Sequence, residues 1–450
     1  MLPTTHYRRQ LDALPSLPVS PSALVIHHSA AAFKQRILTL IAEAQRRIYL
    51  VALYLQDDEA GREILDALYA AKRARPELDI QVLVDFHRAQ RGLIGKGQQS
   101  GNHQRYQQLA ADHPDLDIAI RGVPVKRREW LGVLHLKGFV FDDTLLYSGA
   151  SLNNIYLAQQ GRYRFDRYHE IQDGALADSM VEYVRRQLIE EGAVQRLDRP
   201  DVPQVRQFKT LQRQFRQHLE QGQYRFIPAH RKEGQFSVTP LVGLGKRDNA
   251  LNRVIQQLLR GAKEEVFICT PYFNPPKSLA QDLRKLLNRG VKLTLVVGDK
   301  TANDFFIPPG EKFSPIGGLP YLYECNLRRF CQRYQRRIDN GQLNVMLWQH
   351  DDNSYHLKGV FVDTDLTLIT GSNLNPRAWT LDLENGLLLR DPEGLLQAPF
   401  AEEKASILQH TRRLSHYSQL DQLKDYPEQV RRLLTRLQRF KAHLLLRQIL

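Results

Sequence analysis

Three blocks of sequence recur in the same order along this chain, and the repetition limits what it can fold into. Residues 46–55 (RRIYLVALYL) and 264–273 (EEVFICTPYF) are apolar runs of strand length that end in aromatic side chains. A helical pattern precedes each, through Ile37, Leu40 and Ile41 before the first and Val254, Leu258 and Leu259 before the second. Another helical stretch follows each (ILDALYAAKRA from Ile64, LAQDLRKLLNRG from Leu279), then a second strand that closes on Asp85 or Asp299. The third block is VLHLKGFVFDD from Val133 and SYHLKGVFVDT from Ser354. Tyr54 and Tyr272, Asp85 and Asp299, and His135 and His356 lie 218, 214 and 221 residues apart, a spacing too regular for chance.

The repetition predicts an α/β chain of two pseudo-symmetric copies of one unit, residues 20–175 and 235–400, each a mixed sheet flanked by helices. Residues 176–234, rich in Arg and Gln with apolar positions at helical spacing, predict a helical connection, and 401–450 a basic helical tail. A length of 450 residues suits two or three domains. Three cysteines, an odd and sparse count, exclude a disulfide scaffold and fit a reducing compartment. There is no CxxC pair, so no structural zinc is expected, and nothing in the pattern calls for a cofactor. No apolar run approaches the roughly 18 residues of a membrane span, and residues 1–20 hold no secretory h-region. The expectation is a soluble cytoplasmic protein. Its 63 Lys and Arg against 49 Asp and Glu leave a net +14, which points to a polyanion: nucleic acid, an anionic membrane or a phosphorylated substrate.

The chemistry sits in the third block. Both copies read HxKxxxxD, as His135, Lys137 and Asp142 and as His356, Lys358 and Asp363. Both run into a glycine turn that ends in Leu-Asn, from Gly149 to Asn153 and from Gly371 to Asn375. On a strand, residues i and i+2 share a face, so each His projects with its Lys while Leu136 and Leu357 turn into the core. The turn sets an Asn side chain and backbone N–H groups beside that face, a cradle for phosphate oxygens. By the same parity Asp142 and Asp363 fall on the opposite face, where a structural role is expected. One HxK at a strand edge is ordinarily a solvated polar face. The whole constellation at matching points of a duplicated fold lets two His, two Lys and two Asn converge on a pseudo-twofold axis.

This doubled motif resembles the phospholipase D superfamily. VALYL, GVLHLKGF, YSGASLN, VGDKTANDFFIP, LPYLYECNLRRF and NLNPRAWTLDLEN are similar, within it, to the bacterial phosphatidylserine synthases, over nearly the whole chain. The resemblance implies that both motifs meet at one active site and that the reaction passes through a phosphohistidine. It implies that a phosphatidyl group moves from CDP-diacylglycerol to L-serine with release of CMP. His135 is then the nucleophile and His356 the acid/base, an order that pseudo-symmetry leaves open. Lys137, Lys358, Asn153 and Asn375 bind the nonbridging oxygens, with ammonium groups in place of a divalent metal. The superfamily often places a histidine-orienting carboxylate after each motif. Glu384 in LENG fits. In the first copy Glu170 of RYHE lies eight residues farther from its glycine, and His169 is the alternative. The rival functions are a nuclease or other phosphodiesterase, cardiolipin synthase chemistry, and a non-enzymatic membrane or nucleic-acid binder.

Basic residues at His87–Arg91, Lys96, Lys126–Arg128 and Lys300 are candidates for holding the nucleotide and head group, since ligands favour the carboxyl ends of strands in α/β sheets. In the tail, Val430, Leu433, Leu434, Leu437, Phe440 and Leu444 share one helical face, and Arg431, Arg432, Arg436, Arg439 and Arg447 lie mostly on the other. Such a helix suits either an anionic bilayer or the body of the protein. The expected location is therefore cytoplasmic and peripheral to the inner face of the cell membrane. The expected partners are the two substrates and an anionic surface, with nonspecific polyanion binding.

Overall fold

The computed structural model describes residues 3–91 and 101–439. They form two compact units: residues 15–91, 101–251 and 381–388, and residues 3–14, 252–380 and 389–439.

Eight strands of the first unit make one mixed sheet: β1 (Leu24–His27), β2 (Arg47–Val51), β3 (Asp79–Asp85), β4 (Ala119–Val123), β5 (Phe139–Phe141), β6 (Thr144–Ser148), β7 (Tyr168–Gln172) and β8 (Gln195–Arg196). Their order is β8-β4-β3-β2-β5-β6-β7-β1. β2, β3 and β4 run parallel, which requires crossovers; α1 (Ala30–Glu43) leads into β2, and α2 (Glu59–Ala74) joins β2 to β3. β5, β6, β7 and β1 continue antiparallel. Parallel strands are covered on both faces, and β2 is accordingly an unbroken apolar run, buried from Ile48 to Val51. α2 starts at Asp58, whose carboxylate accepts the Gly61 N–H, and lays Ile64, Leu65 and Leu68 on the sheet with Val82, Val84 and Phe139.

The second unit repeats the plan. β9 (Glu265–Thr270), β10 (Lys292–Gly298) and β11 (Leu343–Trp348) are parallel, with α3 (Lys277–Asn288) between the first two. β12 (Gly359–Val362) lies antiparallel on β9, and β13 (Leu366–Thr370) on β12. Even the register repeats: Ile48 faces Phe141 as Val266 faces Val362. The expected α/β fold of two mixed sheets flanked by helices is what the chain forms.

The stretch between the repeats is not helix alone. Gly174–Tyr183 and Lys209–Gln221 are helical, but Gln195–Arg196 adds an edge strand to the first sheet, and Arg196 is held there by Asp117 and Asp198. Nor is the tail all helix. β14 (Thr411–Leu414) pairs antiparallel with β11, and its Arg412 and Arg413 keep the sheet edge charged. Past it, α5 (Glu428–Arg439) buries Val430 and Leu434 against Tyr426 and against Tyr321 and Leu322 of α4 (Leu319–Arg333), leaving Arg431, Arg432 and Arg436 exposed. Lys96, Phe440, Leu444 and Arg447 lie outside the described residues, and nothing is described of the Arg439 side chain. Among the described residues no helix is long and apolar enough to cross a membrane.

Candidate active site

Each HxK motif lies in an extended segment that leads into a strand, not within the ladder as parity alone suggested. Residues 135–137 precede β5 and residues 356–358 precede β12. A glycine directly follows each lysine where the strand begins: Gly138 has φ +123° and Gly359 φ +153°, in the region that side-chain-bearing residues avoid. A Cβ at position 138 would also lie 2.9 Å from the Met180 side chain. Leu136 and Leu357 anchor their segments in the core as expected, each 1% exposed, and Lys137 and Lys358 are buried to the same degree.

In the first unit, the segment Asp382-Leu383-Glu384-Asn385 splints the motif from outside the ladder. An Asp382 carboxylate oxygen accepts the Val133 N–H at 3.0 Å, and Leu383 exchanges backbone bonds with Val133 and His135. The Glu384 carboxylate lies 2.8 Å from His135 Nδ1. An ionised carboxylate only accepts, so Nδ1–H is the donor of this bond, and in the neutral imidazole the lone pair is then on Nε2. From the other side the wholly buried Asp85 accepts the Leu134 N–H at 3.0 Å and the His87 and Arg88 N–H groups. Burial pushes the Asp85 carboxyl up to about 7, against the pull of those N–H donors.

In the second unit, the Lys358 ammonium contacts the His356 ring, with Nζ 3.0 Å from Nε2.

Asn153 and Asn375 occupy matching capping positions. The Asn153 side-chain oxygen accepts the Tyr156 N–H at 3.1 Å, and that of Asn375 accepts the Ala378 N–H at 2.9 Å. Each amide is thereby oriented with its oxygen toward the turn, and the Nδ2 end is the donor that an anion needs. Asn153 Nδ2 donates to Gln56 at 3.3 Å. Asp142 and Asp363 have the structural role expected, though in the turn after each strand rather than on the strand. Asp142 accepts three backbone N–H groups, of Gln45, Arg46 and Arg47; Asp363 accepts those of Lys263, Glu264 and Glu265 and also pairs with Arg8.

Glu170 is engaged elsewhere: its carboxylate receives His27 Nε2 at 2.9 Å and Arg36 Nη2 at 2.6 Å. His169, one residue earlier, is wholly buried, with Nε2 3.3 Å from Arg167. Several basic candidates are likewise paired. Arg91 donates to Glu129 at 2.6 Å and Arg88 lies 3.6 Å from the same carboxylate. Lys300 is bound by Glu324 and Asp421 at the carboxyl ends of β9, β10 and β11, where Pro271, Gly298, Asp299 and Tyr323 line a cavity. Lys126 is buried, and burial pushes its ammonium down to about 8.

Comparison with known proteins decides the family. Residues 255–406 match the family model described as cardiolipin synthase, PLD-like domain. The chain is 47% identical to a CDP-diacylglycerol–serine O-phosphatidyltransferase of Haemophilus influenzae, covering 99% of both chains. It is 47% identical to that of Escherichia coli K12, covering 99% of this chain and 98% of the other. The crystal structure of phosphatidylserine synthase from Haemophilus influenzae matches with a TM-score of 0.96 and 46% identity, covering 99% of this chain and 100% of that one. The chain belongs to the CDP-diacylglycerol–serine O-phosphatidyltransferase family. In this phosphatidyltransferase the residues that sequence reasoning missed, Asp85, Asp382 and Asn385 as supports of the first motif, act on main-chain groups. Main-chain contacts leave no motif; the one signal available was that two of them flank Glu384 in DLEN.

Proposed function

We propose that the chain transfers the phosphatidyl group of CDP-diacylglycerol to L-serine, with His135 as nucleophile and His356 as general acid/base. Identity over the full length to transferases of that name carries the activity. The carboxylate at His135 Nδ1 supports His135 as the nucleophile, since it can hold the proton on Nδ1 and stabilise a phosphorylated imidazolium.

In the first step the Nε2 lone pair of His135 attacks the phosphorus that bears diacylglycerol. An N–P bond forms, the P–O bond to CMP breaks, and CMP leaves with the electron pair. Its phosphate has a second pKa near ~6, so it departs with little acid assistance. The phosphorylated imidazole is cationic, and Glu384 stabilises it. In the second step the serine hydroxyl attacks phosphorus, His356 takes its proton, and the P–N bond breaks. Lys137, Lys358, Asn153 and Asn375 bind the nonbridging oxygens as charge develops on them.

Labelled-serine incorporation from CDP-diacylglycerol micelles tests the activity, and rapid-quench detection of the acid-labile adduct tests the roles. His135→Ala should abolish both CMP release and phosphatidylserine. His356→Ala should keep a first burst of CMP and accumulate adduct. Adduct on His356 in the His135 variant would reverse the roles.

Association with the membrane is proposed to be peripheral and partly electrostatic. The net +14 and the exposed arginines of α5 support it. The apolar face of the described part of α5 does not, since Val430 and Leu434 are spent on the protein.

A further inference from the structure

We propose that Asn385 is a positioning residue that fixes the main chain of Lys137 and thereby sets where its ammonium meets the phosphate; this rests on the transfer reading above. Lys137 stands where the chain has little ladder support: it precedes β5, and Gly138 follows it at φ +123°. A neighbouring strand would have paired its N–H and C=O. One side chain does so instead. Asn385 Oδ1 accepts the Lys137 N–H at 2.8 Å, and Asn385 Nδ2 donates to the Lys137 carbonyl at 2.8 Å.

The amide is itself locked. Tyr147 Oη lies 3.0 Å from both Oδ1 and the Asn385 carbonyl oxygen, which share its one O–H, and Nδ2 donates to Tyr224 Oη at 2.9 Å. The amide thus accepts at its oxygen and donates twice at its nitrogen, a combination that Asn offers and Asp or Leu of the same size does not. The orientation of the amide follows from its partners, since an N–H needs the oxygen and a carbonyl needs the NH2. Asn385 is 1% exposed and Tyr147 is wholly buried, so water cannot substitute freely. Neighbouring residues of one segment therefore divide the first motif between them, Glu384 setting the His135 ring and Asn385 the Lys137 peptide. A lysine side chain multiplies any tilt of its own peptide along its four-carbon stem, and a displacement of about 1 Å in a catalytic group costs on the order of a hundredfold in rate.

The test is a double-mutant cycle read as CMP release from CDP-diacylglycerol micelles, so that it does not depend on the acceptor. Asn385→Ala in the wild type should lower kcat by about 10- to 100-fold with KM within about threefold. In a Lys137→Ala background the same substitution should change kcat by less than about twofold, because the group it positions is gone. Tyr224→Phe, which removes one acceptor from the amide, should lower kcat a fewfold while the melting temperature stays near that of wild type. Equal losses with and without Lys137 would overturn the proposal, as would an unchanged kcat in folded Asn385→Ala or in Tyr224→Phe. If the wild type releases CMP but incorporates no serine, the assigned acceptor falls while the positioning role of Asn385 is decided by the cycle alone.

Discussion

With His135 as the proposed nucleophile, the carboxylate on its Nδ1 leaves Nε2 as the nitrogen that attacks. Glu384→Gln keeps the size but presents an amide that can donate to Nδ1 and drive the proton to Nε2. A fall in the CMP burst rate of roughly 10²- to 10⁴-fold is expected, as for wrong-tautomer variants of catalytic triads, with serine affinity little changed; stopped-flow detection of CMP measures it. Glu170 has the same chemistry and a different task. Burial alone would raise its pKa, but hydrogen bonds from His27 and Arg36 hold it down at about 2 against an ordinary 4.5. A depressed acid stabilises the fold above its unfolded pKa and loses that contribution as pH falls through 4.5 toward 2. Glu170→Gln should therefore cost about 1 kcal/mol at pH 7, after allowance for solvent screening. Urea unfolding should find that the gap to wild type narrows below pH 4, with kcat unchanged throughout.

The turn that ends each antiparallel hairpin's first strand is fastened by one aspartate. Asp142→Ala strips three backbone N–H groups of their acceptor and should lower stability by about 2 kcal/mol, at the upper end for a lost cap. Asp363→Ala should cost more, since Arg8 loses a partner too. Thermal melts of the two variants rank them. At this scale the sequence was readable where periodicity governs: β2, β3, β9, β10, α2 and α3 sit where the apolar pattern placed them. It was misread at the motifs, because strand parity does not say where a ladder begins, and here it begins only after each lysine, at Phe139 and at Gly359. On α5 it gave the helix and left its partner open. Amphipathic spacing shows that Val430 and Leu434 share a face, but not that Tyr321 and Tyr426 wait to cover it. Glu384 was legible as an orienting carboxylate from its place after the second motif; that it serves the histidine 249 residues earlier is a property of the fold alone.

For the whole molecule, the excess positive charge makes vesicle binding the telling measurement. Sedimentation with anionic vesicles should fall as salt rises, since the screening length drops to about 3 Å at 1 M, whereas neutral vesicles should bind weakly at every salt concentration. On the proposed roles, in which lysines and not a divalent ion supply the cationic charge at phosphorus, turnover should survive EDTA; loss on chelation with rescue by one divalent ion would remove that account.

Residues 381–388 pack with the unit built from residues 15–251, although they are made long after it. At ~5–20 residues per second on the ribosome, the 249 residues between His135 and Glu384 take at least about 12 s to appear. Throughout that interval the nascent chain carries His135 without the carboxylate at its Nδ1. With His135 as the proposed nucleophile, synthesis order would act as a safety catch: a truncated or stalled chain ending before residue 384 should be inert toward CDP-diacylglycerol and unable to strip CMP from the lipid.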